Sequence, residues 1–274
     1  MIFDTHAHYD DARFDEDRAL LLEKSFPEGG IAGLVNVGAS LRSSRASRDL
    51  AERYGFIFFA AGVHPDDTSD LEEAGPEAAE AELKALLEHP KAVAVGEIGL
   101  DYHGDYPDKP SPAQQKRWFD FQLALAKEKK MPVIVHSRDA AADTLSVLQA
   151  AGGSELSLVM HCFSYEKEMA KIYLDMGYYL GAGGVVTYKN SRKLKEIVRY
   201  MPLDRLLLET DAPYLPPEPW RGTRNQSLHL HRVAEVIAEL REIRPEEVEE
   251  AARQNAMRFF RLAETSEKAL RKLI

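Results

Sequence analysis

Several short apolar runs in this 274-residue chain stop on a histidine or a carboxylate. The first run, Ile2-Phe3-Asp4-Thr5, leads into His6-Ala7-His8, and others end in Gly62-Val63-His64, Val135-His136 and Met160-His161. Two more end in Gly96-Glu97-Ile98-Gly99-Leu100-Asp101 and Glu209-Thr210-Asp211. Imidazole nitrogens and carboxylate oxygens in one set are metal donors. Strand positions two apart share a side, so His6 and His8 start roughly 6–7 Å apart and can converge on one ion where the strand end curls. His136 and His161, from neighbouring strands, could hold a second ion, and the two oxygens of Glu97 could bridge both. Asp211 would close the first site or accept a proton. Two divalent ions about 3.5–4 Å apart clamp the attacking and leaving oxygens of a hydrolysis and acidify a water. No Gly-x-Ser-x-Gly elbow and no Cys–His pair with an orienting group offers a rival nucleophile.

A second His-x-His, His229 and His231, serves as an internal control. It lies in a helical pattern, Ser227-Leu-His-Leu-His-Arg-Val-Ala-Glu, where residues two apart do not face each other, and it is read as a non-ligand pair. His89, before Pro90, reads as a helix-end cap, and His103 falls in a loop. Cys162 points to the opposite face from His161 and is expected to fill core space. Asp4 shares a face with His6 and His8 but lies deeper, which suits a buried hydrogen-bonding role.

These residues need a scaffold that collects strand ends. Buried-strand runs occur at Ile2–Thr5, Ala32–Val37, Phe56–Val63, Ala92–Gly96, Val133–Val135, Leu156–Met160, Tyr178–Ala182 and Arg205–Thr210. Helical periodicity lies between them, as in Pro112–Lys130, Asp139–Ala150 and Glu166–Met176. Continuous apolar strands imply burial on both faces, as in a parallel sheet. Eight such units in this length predict an α/β fold, a (β/α)8 TIM barrel whose catalytic groups gather at the C-terminal rim, ahead of the doubly wound open sheet built from the same units. The barrel is expected to occupy residues 1–274 as one domain, with helices from about 227 (Ser227 to Lys272) packing on it.

The ordered motifs resemble the TatD family of metal-dependent hydrolases, within the amidohydrolase-like barrel superfamily. The match is carried by Asp4-Thr5-His6-Ala7-His8, Gly62-Val63-His64-Pro65, Gly96–Tyr102 and Pro132–Arg138. It continues through His161-Cys162-Phe163-Ser164, Glu209–Leu215 and Arg221-Gly222-Thr223-Arg224-Asn225. The resemblance implies a divalent-metal-dependent phosphodiesterase of the deoxyribonuclease type, acting as a 3′–5′ exonuclease on single-stranded DNA or 3′ ends through a water activated by two ions (Mg²⁺, Mn²⁺ or Zn²⁺). It places His6, His8, Glu97 and Asp211 on one metal and Glu97, His136 and His161 on the other. It makes His64 a group that meets the phosphate, Arg221 and Arg224 substrate contacts, and Asp101 either a substrate contact or a group behind a ligand. Family members carry Glu and then Pro after the Arg-Gly-x-Arg-Asn motif, whereas Gln226-Ser227-Leu228 follows here. No lysine stands at a strand end to bridge the metals, which suits Glu97. The alternative on the same site is ester or amide hydrolysis, such as deacylation of D-aminoacyl-tRNA.

Composition sets the outer limits. There are 35 basic and 45 acidic residues, for a formal charge of −10, and 45% of residues are hydrophobic. The apolar runs are too short to cross a bilayer, and the start lacks a signal-peptide pattern. One cysteine excludes an internal disulfide, so a cytoplasmic protein without membrane or obligate protein partner is expected. Much of the acidity is local: Asp66–Glu88 holds nine carboxylates against Lys84, and Glu235–Glu250 holds seven against two arginines. Both stretches are expected on the outer helical ring, which excludes broad nucleic-acid coating while permitting a grip on one strand end, with a shallow salt dependence.

Overall fold

In a computed structural model, which describes residues 1–262, eight parallel strands follow one another around a barrel in sequence order. They are β1 (Ile2–Ala7), β2 (Ile31–Val37), β3 (Ile57–Ala61), β4 (Ala92–Asp101), β5 (Val133–Arg138), β6 (Leu158–Met160), β7 (Tyr179–Ala182) and β8 (Leu206–Leu208). A parallel bridge between Ala7 and Ala212 joins the end of β1 to the segment after β8, so the sheet curls into the expected barrel rather than lying open. Helices with clear end signals connect the strands. The helix Leu41–Arg53 starts at a reciprocal Ser40/Ser43 capping box. The helix Pro112–Lys129 starts at a Ser111 cap with proline in its first turn and ends at Lys130 in the left-handed region.

One apolar cluster takes residues from every strand, including Phe3, Val35, Phe58, Ile134, Val159 and Leu207, and therefore fills the barrel interior. Its floor is the C-terminal helix Pro245–Phe259, which packs against β1 and β8 and sends Phe259 onto Tyr179 and Phe260 onto Phe3. The larger cluster lies between the strands and the helical ring. Of the helical stretch expected over Ser227–Lys272, Leu230–Arg241 and Pro245–Phe259 are observed, and the part after residue 262 lies outside the described residues.

Two departures from regular pairing matter for function. Between Asp4 and Ala7, β1 carries one more residue than the facing part of β2, and between Val95 and Ile98, β4 carries one more than β5. A bulge of this kind re-aims a side chain, and these two contain His6 and Glu97. β4 also continues past the expected end at Gly96, because residues 98–101 pair with 135–138 of β5. Glu97 is thus held inside a strand, and Asp101 is its last residue. Among the described residues, no helix is long and apolar enough to cross a membrane.

Candidate metal centre and active site

At the C-terminal rim the backbone of β1 is clamped to the segment after β8. His8 N–H donates to the Ala212 carbonyl (2.7 Å), and Asp211 N–H donates to the His6 carbonyl (2.9 Å). Below this clamp the Asp4 carboxylate is fully buried and accepts from Ser227 Oγ (2.6 Å), Thr210 Oγ1 (2.6 Å), Thr210 N–H (3.0 Å) and His6 N–H (3.2 Å). Burial pushes the Asp4 pKa up to about 6, against the pull of these donors. Asp4 therefore ties strand to strand beneath the site, and Ser227 supplies one of the ties.

The clamp brings four donors together. His6 Nε2 lies 3.2 Å from His8 Nε2, 3.3 Å from Glu97 Oε2 and 3.9 Å from Asp211 Oδ1. His8 Nε2 lies 3.9 Å from Glu97 Oε2 and 3.4 Å from Asp211 Oδ1. Donors at about 2.1 Å from a tetrahedral ion are about 3.4 Å apart, so the two imidazole nitrogens have ligand spacing to each other and to each carboxylate oxygen. The tautomer agrees. His8 Nδ1 faces the Val37 carbonyl at 2.8 Å; a carbonyl only accepts, so in the neutral ring the proton sits on Nδ1 and the Nε2 lone pair is left for a cation.

A second group shares Glu97. Its Oε1 lies 2.9 Å from His136 Nδ1 and 3.7 Å from His161 Nε2, while Oε2 faces His6. His161 stacks on His6 with ring centroids 3.6 Å apart. Behind it, His161 Nδ1 lies 3.2 Å from Glu209 Oε2, and Glu209 also accepts from Cys162 N–H at 2.5 Å. Glu209 reaches across β7 because Gly181 stands between: a Cβ there would sit 2.4 Å from the carboxylate. His136 Nε2 is 2.9 Å from Asp101 Oδ2, so Asp101 orients His136 and is itself bonded to the His103 N–H (2.7 Å).

The charges of these groups are coupled. Burial would lower the imidazole pKa values, but the carboxylates outweigh it: Asp211 and Glu97 raise His8 to about 9, Asp101 and Glu97 raise His136 to about 9, and Glu209 and Glu97 raise His161 to about 10. Burial would likewise raise Glu97 and Asp211, yet the neighbouring histidines hold both below the usual carboxylate range. Buried carboxylates of this density draw positive charge, and the ligand-spaced donors fit a divalent cation.

His64 differs. Asp66 N–H donates to its Nδ1 (3.2 Å), so in the neutral ring the proton must be on Nε2. Burial and His136 depress its pKa to about 3, which keeps it neutral. It therefore presents an N–H donor into the site rather than a lone pair.

The structure gathers eight of the ten expected site residues at this rim: His6, His8, His64, Glu97, Asp101, His136, His161 and Asp211. Arg221 and Arg224 stay outside the cavity. Arg224 forms a two-pronged pair with Asp17 (2.8 and 2.5 Å), and Arg221 covers the Tyr188 ring at 4.4 Å beside Glu218. The nearby Asn225 is structural, bonding the Thr210 carbonyl and His229. Among the described residues one arginine stands in the wall of the cavity, about 720 Å³ in volume: Arg138 at the end of β5. Two other expectations change. Cys162 follows β6 in a left-handed turn (φ 46°) that swings it into the cavity wall instead of the core. Asp66 and Asp67, the start of the acidic stretch, also line the cavity, because the turn Pro65–Asp67 folds inward directly after His64.

A parallel (β/α)8 barrel with histidines and carboxylates converging at its C-terminal rim is the construction of a metal-dependent hydrolase. The family model for TatD-related DNases matches residues 3–261. A metal-dependent hydrolase of Bacillus subtilis, YabD, whose activity is uncharacterised, is 42% identical over 96% of this chain and 100% of its own length. A protein of Erwinia billingiae named 3′-5′ ssDNA/RNA exonuclease TatD is 36% identical over 95% of this chain and 99% of its own. The crystal structure of YJJV, a TatD homologue from Escherichia coli K12, superimposes with a TM-score of 0.85 at 32% identity, covering 96% of this chain and 98% of that one. The chain belongs to the TatD family of metal-dependent hydrolases.

Glu209, Arg138 and Tyr214 join the site from outside the ten expected residues. Glu209 carried a signal: a strand-end carboxylate two residues before Asp211, with a glycine in the adjacent buried strand Tyr-Leu-Gly-Ala.

Proposed function

We propose that this protein is a phosphodiesterase that removes nucleotides from the 3′ ends of single-stranded DNA with two divalent cations. The reading rests on one observation above all: the two oxygens of Glu97 point into two different donor groups. His6, His8 and Asp211 would complete one site with Glu97 Oε2, and His136 and His161 the other with Oε1. Bound there, Mg²⁺, Mn²⁺ or Zn²⁺ would supply Lewis-acid polarisation of the phosphoryl oxygens and acidify the attacking water.

The chain's own groups do the rest. His64 donates its Nε2–H to a phosphate oxygen and, being neutral, leaves the charge of the site unchanged. Asp211, held ionised among the histidines, takes the proton released in the attack. Arg138 offers the guanidinium fork that suits a phosphate, a part that Arg221 and Arg224 do not play in this geometry. The exonuclease name of the Erwinia billingiae relative supports a nucleic-acid substrate, and the open rim admits a strand end.

Metal removal tests the reading. The protein is stripped by a chelator, reloaded separately with Mg²⁺, Mn²⁺ or Zn²⁺, and given 3′-labelled single-stranded DNA beside a D-aminoacyl-tRNA. Stepwise shortening of the DNA is expected with at least one metal and none after stripping. Intact DNA with every metal, together with cleavage of the ester, would replace phosphodiester by ester hydrolysis.

A further inference from the structure

Tyr214 is an exposed aromatic side chain (47 %) in the wall of the catalytic cavity, three residues after Asp211. Its N–H donates to the Asp211 carbonyl at 2.7 Å, and its ring stands edge-on to His8 with centroids 6.3 Å apart. One face of the ring is covered: the Arg13 guanidinium lies 4.2 Å from its centroid. Arg13 is itself fixed by two bonds to Asp11, from Nε to Oδ1 (2.9 Å) and from Nη2 to Oδ2 (2.8 Å). The Arg13 carbonyl accepts from Arg224 Nη1 (2.6 Å), whose other bonds go to Asp17. Hydrogen bonds therefore run from Arg224 to Arg13, which lies against Tyr214 and holds its ring beside a ligand histidine while the remaining exposure leaves surface free.

A hydrolase acting only at the metals gains nothing from a fixed, half-exposed ring. Single-strand nucleases do, because every base has a π-face and base–aromatic stacking contributes about 1–3 kcal/mol irrespective of sequence. We propose that Tyr214, backed by Arg13, is the platform on which the terminal base of a single-stranded substrate stacks. A base on this ring belongs to the nucleotide whose phosphate lies at the histidines, and only an unpaired base offers it a free face. Arg224 is a positioning residue for this platform. The inference rests on the phosphodiesterase reading above.

The test pairs two enzymes with two strands. Oligothymidylates that differ only at the 3′ residue, thymidine or an abasic deoxyribose, are cleaved by metal-loaded wild type and Tyr214→Leu, and kcat/KM is taken for all four combinations. Loss of the ring is expected to cost the base-ended strand on the order of tenfold more than the abasic strand. Tyr214→Phe restores the wild-type preference for the base, and Arg13→Ala falls between. A second readout needs no turnover: with metal-free protein, a 3′-terminal 2-aminopurine is quenched by stacking in wild type and not in Tyr214→Leu. Equal loss on both strands, no loss, or an undiminished quench overturns the platform and leaves the phosphodiesterase standing. Cleavage of neither strand by the metal-loaded wild type overturns the nuclease reading, and the platform with it.

Discussion

The chain contains the same tripeptide pattern twice, His6-Ala7-His8 and His229-Leu230-His231, in opposite settings. At the end of β1 the two Nε2 atoms approach to 3.2 Å, and Val37 holds His8 from behind. At the start of the helix Leu230–Arg241 the rings part. His229 Nδ1 bonds Asn225 Oδ1 (2.9 Å) while its ring stacks on Trp220 at 4.4 Å, and His231 Nδ1 faces Glu249 Oε1 (2.7 Å) with Nε2 toward the Gly29 carbonyl (2.9 Å). A strand repeats every two residues, whereas a helix turns about 100° per residue and sends the pair to different sides. The use of the ring nitrogens separates the cases. His8 spends one nitrogen on protein and keeps the other for a shared centre, but His231 spends both, which requires a protonated ring.

The widest expected gap between the two pairs is in catalysis. His6→Ala removes a donor shared by the tightest cluster and should lower kcat/KM for the proposed cleavage of single-stranded DNA on the order of a thousandfold, as expected when several kcal/mol of transition-state stabilisation are lost. His231→Ala should stay within about threefold, and metal content per chain should fall only in the first variant. Equal losses in both would end the distinction. A smaller effect tests whether the partner behind a proposed ligand ring matters. Glu209→Gln keeps the shape but removes the charge facing His161 Nδ1, and divalent-metal affinity by calorimetric titration should weaken about 10–100-fold. Unchanged affinity would make Glu209 a bystander.

The strand repeat explains how much was legible in the sequence. Barrel order and the gathering of His6, His8, Glu97, His136, His161 and Asp211 could be read because each follows an apolar run, and a parallel barrel puts all such ends on one rim. The bulges at His6 and Glu97 could not be read, since a register shift depends on the facing strand. The partners of Arg221 and Arg224 were illegible for a related reason. An arginine in a loop looks free until its partner is known, and Asp17 and Tyr188 lie far from them in sequence. Strand alternation puts Cys162 opposite His161, but the alternation stops with β6 at Met160. Asp66 and Asp67 read in sequence as the start of an acidic helical stretch, although the turn after His64 governs where they point.

The smallest expected effect concerns stability. His231 is raised, first by its bond to Glu249, and Glu249 is lowered, first by the same bond; the Met1 ammonium stands 3.5 Å from the other Glu249 oxygen. A raised histidine contributes fully below its unfolded value, near 6.5, and loses the contribution as pH rises through its folded value. A lowered glutamate contributes above its unfolded value, near 4.3, and loses the contribution as pH falls through its folded one. The pair should therefore stabilise the fold most between about pH 4.5 and 6.5 and decline on both sides. His231 is 37% exposed, so solvent screening limits the gain to less than about 1 kcal/mol, or about 2–4 °C in Tm at most. Thermal melts of wild type and His231→Ala across pH 4 to 9 should show the largest difference near pH 5.5. A difference that does not vary with pH would mean that His231 holds the helix to the Gly29 turn by packing alone, and that its second nitrogen is not charged.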